Sequence, residues 1–168
     1  MNDLVQFRIP ATFVINHVVL TPHELAYGFK HGWLTPQDVV QVALAALSAG
    51  APLSQPEEAL ALLLSSELEQ VPSLIDELER ASAQENDPAA VWLFLALAWL
   101  YDHRTKFYDP LAMIEMLYAD FGYLDEIKDF VRFMPVSPGS ATGLDATIKA
   151  WRAYVEKKTE EYHNRVRL

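Results

Sequence analysis

The chain has no cysteine, which excludes disulfides, thiolate catalysis, zinc ribbons and iron–sulfur ligation. Bases are few: 13 Lys and Arg stand against 23 Asp and Glu, for a net charge of −10. Phosphate binding needs clustered Lys and Arg to release counterions, so nucleic acid is not expected as a ligand, and anionic membranes are disfavoured for the same reason. The six glycines are scattered and offer no local run for a phosphate-cradling loop. No G-x-S-x-G, H-E-x-x-H, Walker, G-x-G-x-x-G or EF-hand pattern occurs. The longest apolar run, Pro88 to Tyr101, is closed by Asp87 and Asp102 and falls short of the ~20 residues a membrane span needs. It predicts a central core helix. The opening MNDLVQFRIP has no basic segment leading into an apolar run, so no secretory signal is visible and a cytoplasmic location is expected.

What the sequence has is helix punctuation. Thr21-Pro22-His23-Glu24 and Thr35-Pro36-Gln37-Asp38 each place a hydroxyl at the N-cap, a proline at the first helical position and a carboxylate at capping-box spacing. Asp87-Pro88 and Asp109-Pro110 open helices in the same manner, as do Gln55-Pro56 and Val71-Pro72. The echo LTPHELAYGF and LTPQDVVQVA marks two short consecutive helices with Gly32 as the stop between them. These signals and the apolar periodicity predict helices near 10–18, 22–31, 36–49, 56–69, 73–84, 88–103, 110–120, 124–133 and 143–166. The first, rich in β-branched and aromatic residues, is ambiguous between helix and strand over 5–19. The small-residue segment 135–143 reads as a flexible connection to the last helix. The expected fold is all-α, a single compact domain of about eight or nine helices, with stacked helix hairpins as one arrangement.

Charge is unevenly distributed. Between Ser54 and Ala90 nine carboxylates face one base, Arg80, whereas from Asp145 to Leu168 six bases face four acids. Such asymmetry speaks to association. Glu57 and Glu58 fall in a first helical turn, where the dipole favours them by ~0.3–1 kcal/mol each. Glu67 and Glu69 fall near the C-terminus of the expected helix 56–69, where the dipole gives no reason for them. Leu74, Ile75, Leu78 and Ala81 form an apolar stripe that leaves Asp76, Glu77 and Glu79 outside it, and Leu60, Leu63, Leu64 and Leu68 form the stripe of the preceding helix. Glu67, Glu69, Asp76, Glu77 and Glu79 are therefore candidate partner contacts. Tyr118, Asp120 and Tyr123, near helix ends in the aromatic-rich segment, are candidate interface anchors.

Chemistry is sparse. Glu160-x-x-His163 has the spacing of half a di-iron bundle site, without the second half. Asp102, His103, Asp109 and Asp120 would have to converge for acid–base work, and helix-end roles are the simpler reading: His103 and Arg104 as cations at a helix C-terminus, Asp109 as the cap of the next helix. No metal, cofactor or catalytic residue is expected.

The segments LTPHELAYGFKHGWLTPQDVV, AVWLFLALAWLYDHR and DPLAMIEMLYADFGYLDEIKDFVRFMP together resemble a family of short bacterial proteins of unknown function. That family shows an H-G-W-L stretch, a W-L-Y core helix, a D-P-L helix start and a Y-A-D-F segment running on to F-V-R-F/Y-M-P. No catalytic set comes with it. Small acidic proteins of this type are similar to immunity proteins encoded beside polymorphic toxins, so the resemblance implies a non-catalytic protein that neutralises a cationic, nuclease-type toxin. The alternatives are a small hydrolase using the Asp/His cluster, and a homo-oligomeric adaptor in which the acidic segment meets the basic last helix of another copy. The sequence leaves the oligomeric state open.

Overall fold

The computed structural model describes residues 9–81, 87–107, 109–122, 127 and 144–164. Its elements are α1 (Ala11–His17), α2 (Pro22–Lys30), α3 (Pro36–Ser48), α4 (Gln55–Ala61), a 3₁₀ helix (Ser65–Gln70), α5 (Val71–Ala81), α6 (Pro88–Asp102), a 3₁₀ turn (Arg104–Lys106), α7 (Pro110–Asp120) and α8 (Leu144–Asn164). The all-α expectation holds: there is no strand among the described residues, and the ambiguous first segment is helical over Ala11–His17. The expected helix 124–133 and connection 135–143 lie outside the described residues, apart from the buried Ile127.

The chain divides into two compact units, one of Arg8–Trp92 with Glu161–Leu168, the other of Met1–Phe7 with Leu93–Glu160. In the first, α3 packs on α1 and α4, while α5 packs on α2 and α4. Val14, Val39, Leu60, Val71, Ile75 and Trp92, each fully buried, fill this core. The helix starts follow the sequence rules. Thr21 and Glu24, Thr35 and Asp38, and Ser54 and Glu57 all form reciprocal capping boxes with proline in the first turn. Gly32 adopts φ +82°, the left-handed conformation that glycine tolerates best, and lets the chain turn so that the Trp33 and Leu34 amides both bond to Gly28 O at 2.8 and 3.2 Å. The Val19 amide donates to Tyr162 O at 2.9 Å, satisfying a carbonyl near the end of α8.

In the second unit the Trp151 indole of α8 donates to Leu97 O at 3.2 Å and meets Tyr101 edge-on at 5.1 Å between centroids. Helix α6 is apolar on every side, and correspondingly Val91 to Ala98 and Leu100 are at most 1% exposed. The expected central core helix is therefore present.

One expected helix is absent as such. The 56–69 segment breaks after Ala61: Leu62 closes α4 and Leu64 is extended (φ −81°, ψ 160°) before the 3₁₀ helix begins. Ser65 and Ser66 are weak helix formers at the break. The Glu67 carboxylate accepts from the Leu64 amide at 2.9 Å, which fixes a new helix start where continuation was expected. The stripe ascribed to this segment is corrected with it, because Leu64 is 64% exposed.

Candidate functional site

The acidic segment spans α4, the 3₁₀ helix and α5, and its carboxylates separate into three groups by what they touch. Glu57 is 2% exposed and caps α4, with Oε1 at 3.3 Å from the Ser54 amide and 3.4 Å from Ser54 Oγ. Glu67 caps the 3₁₀ helix. Its position was unexplained at a helix C-terminus; it stands instead in a first turn, where a carboxylate is favourable. Neither group is held ready for a partner in the sense expected of Glu67.

The second group is Asp76 and Glu79 on α5. Lys30 Nζ at the end of α2 lies 3.0 Å from an oxygen of each. Hydrogen bonds to Glu79 and then Asp76 push the Lys30 pKa above its ordinary value. Both acids remain substantially exposed, but they are not without a structural network: with Lys30 they form an ion-pair triad. Arg80, the neighbouring base in sequence, is exposed and is absent from this triad.

The third group, Glu58, Glu69 and Glu77, is exposed. Glu58 and Glu69 bracket Leu62 and Leu64, whose side chains are 61% and 64% exposed. The 3₁₀ helix packs on α3 and α5, and α3 carries a further exposed leucine, Leu44, at 45%. Exposed leucines and exposed carboxylates thus occur together along the stretch from Glu58 to Glu69.

The anchors proposed in the aromatic-rich segment fare differently. Tyr118 is 5% exposed and belongs to the buried face of α7 with Leu111, Ile114 and Leu117, so it is corrected from interface anchor to core residue. Asp120 is the half-buried last residue of α7. Tyr123 lies outside the described residues.

Two of the groups suggested for acid–base chemistry, His103 and Asp109, are engaged in helix-end bonds. His103 Nδ1 donates to Trp99 O at 2.8 Å and its ring lies 3.8 Å from that of Trp99. Arg104 donates to Tyr101 O at 2.7 Å with its guanidinium 4.1 Å from the Tyr101 ring centroid. Asp109 accepts from the Ala112 amide at 3.1 Å. The His103 arrangement occurs twice more, in His17 with Phe13 and His31 with Tyr27: Nδ1 bonds the carbonyl four residues back at 2.8 and 3.0 Å, and the rings stack at 3.9 and 3.8 Å. Three histidines thus serve as C-terminal caps of helices, each resting on an aromatic one turn earlier. Among the described residues no group of three His, Asp or Glu side chains is placed to hold a metal ion. Glu160 and His163 are exposed near the end of α8.

Within one unit, then, the arrangement defines an acidic helical surface with exposed leucines. The chain belongs to the bacterial family described as "uncharacterized protein conserved in bacteria" (DUF2247), whose model matches residues 11–159. No curated protein and no solved structure matches it.

Proposed function

We propose that this protein is a non-catalytic binding protein that neutralises a basic protein partner through the α4–α5 surface, most concretely an immunity protein for a cationic, nuclease-type bacterial toxin. The observation that carries the reading is the pair Leu62 and Leu64, exposed at 61% and 64% between the exposed carboxylates of Glu58 and Glu69. Solvent-facing leucines at a helix break contribute little to their own fold and supply apolar anchors for a partner. The flanking carboxylates steer a basic protein onto them and oppose its phosphate-binding residues. An enzyme that holds nucleic acid must be basic along its phosphate path, so the charge is of the right sign to occlude it.

The alternative of a small hydrolase using Asp102, His103, Asp109 and Asp120 is the weaker reading, because His103 and Asp109 make helix-end bonds. No observation favours the adaptor reading.

The test is co-expression. Growth-inhibitory nuclease domains encoded beside the gene in its native bacterium are expressed with and without the chain, and survival is scored together with formation of an isolable complex. Protection accompanied by a complex supports the reading. Failure of every neighbouring toxin to bind the chain overturns it.

A further inference from the structure

We propose that the cleft between α1 and the C-terminal half of α3 is a binding site for a small uncharged aliphatic molecule, a saturated chain of about six carbons that enters by its hydrocarbon end. The cleft has a volume of about 330 Å³, toward the lower end of the range for small-molecule sites. Its walls are aliphatic: Val14 and Val18 from the α1 side, Leu25 from α2, Val42 and Ala46 from α3. Helices α1 and α3 pack on each other, and the hollow between them exists because the α3 wall is short: Ala43 and Ala46 share one helix face, and Gly50 follows just past the helix end. The cleft opens to solvent beside Gly50, which is exposed and whose missing Cβ would meet nothing within 4 Å.

Among the described residues that line the cleft there is no aromatic ring and no base. Glu57 is the one ionisable side chain in that lining, and the protein itself engages it: Oε1 lies 3.3 Å from the Ser54 amide and 3.4 Å from Ser54 Oγ, and the residue has a further interaction within the fold. Recognition therefore asks nothing of Glu57. The backbone amides around the cleft are engaged as well. Those of Val18 and Leu25 donate to Val14 O and Thr21 O, each at 3.0 Å, and those of Ala49, Gly50 and Ala51 donate to carbonyls of α3 at 3.0, 3.0 and 3.1 Å. A charged group drawn into such a cleft would give up its hydration for no partner, whereas methylene groups gain by leaving water for valine, leucine and alanine. The ligand is accordingly selected by the hydrocarbon it buries and by carrying no charge. This site is separate from the leucine-and-carboxylate surface, and the proposal does not rest on the toxin-binding reading.

The experiment titrates the full chain at neutral pH with butanol, pentanol and hexanol, and with hexylamine and hexanoate, and follows backbone amide resonances and the melting temperature. Hexanol is expected to bind saturably, to shift the Ala46 and Gly50 amides and to raise the melting temperature. Affinity should climb roughly fourfold with each methylene from butanol to hexanol, and both charged homologues should bind at least about tenfold more weakly than hexanol. Ala46→Leu places a larger aliphatic side chain in the cleft and is expected to abolish hexanol binding. Val42→Ala enlarges the cleft and is expected to favour octanol over hexanol more than wild type does, which reads the same site should Ala46→Leu not fold. Absence of saturable hexanol binding, hexylamine or hexanoate binding as tightly as hexanol, a folded Ala46→Leu variant with unchanged hexanol affinity, or an unchanged chain-length preference in Val42→Ala would each overturn the proposal.

Discussion

The indole of Trp92 fills the space that a Cβ on Gly28 would occupy, and its Nε1 donates to Glu24 O at 2.8 Å. This close approach joins α2 to α6, with Trp33 stacked beyond at 6.1 Å between centroids. In an exposed helix, glycine to alanine is a stabilising change by roughly 0.5–1 kcal/mol. Here the sign reverses, because the added carbon would have to displace a fully buried indole. Gly28→Ala is expected to lower unfolding free energy by about 2 kcal/mol, and Trp92→Ala by about 3–5 kcal/mol, as measured by urea denaturation. Trp99, which is only partly buried and covers His103, should lose less than Trp92 when replaced by alanine.

The break after α4 depends on Glu67. Glu67→Ala removes the acceptor for the Leu64 amide and should cost about 0.5–1 kcal/mol, whereas Glu67→Gln should be nearly neutral because it keeps the capping contact. Amide hydrogen exchange at Leu64 would rise in the alanine variant and stay low in the glutamine one.

The Lys30 triad gives a pH dependence with a definite direction. The lysine pKa is raised in the folded protein above the ordinary 10.5. Its stabilisation is therefore complete below the unfolded value and is lost as pH climbs through the folded one. The three side chains are substantially exposed, so the contribution is small, under about 1 kcal/mol. Lys30→Met should melt slightly lower than wild type at neutral pH, and the gap should close when melting is repeated well above pH 10.5.

What the sequence made legible was local. Thr21 with Glu24, Thr35 with Asp38 and Asp109 with Ala112 are three residues apart, and proline fixes the first turn of each helix, so the starts of α2, α3 and α7 could be read directly. The site was less legible because its determinants are either distant or masked by composition. Lys30 lies 49 residues from Glu79, and a reading confined to neighbours finds only Arg80. The break at Leu62 to Leu64 sits inside a leucine-rich run that satisfies helical periodicity whether or not the helix continues. Ser65-Ser66 followed by Glu67 was the available signal, the same carboxylate-at-the-third-position pattern that marked the other starts. Tyr118 is buried because the covered face of α7 includes both Leu117 and Tyr118, a width that position near a helix end does not reveal.

Glu69 and Glu77 are exposed. Replacing both with lysine should change stability by within about 0.5 kcal/mol. The same change should slow association with a basic partner and flatten its salt dependence, because peripheral charges act chiefly on encounter. Stopped-flow association at two ionic strengths, alongside thermal melting, checks both halves.

If Leu62 and Leu64 form the proposed binding surface, the most direct measurement is the dissociation constant of the complex with the proposed basic partner for wild type and for a Leu62→Asn, Leu64→Asn variant. Both side chains are more than half exposed, so the variant should melt like wild type. The account predicts a loss of affinity of at least about a hundredfold, as befits two apolar anchors at the centre of an interface. An unchanged dissociation constant in a normally folded variant would contradict it.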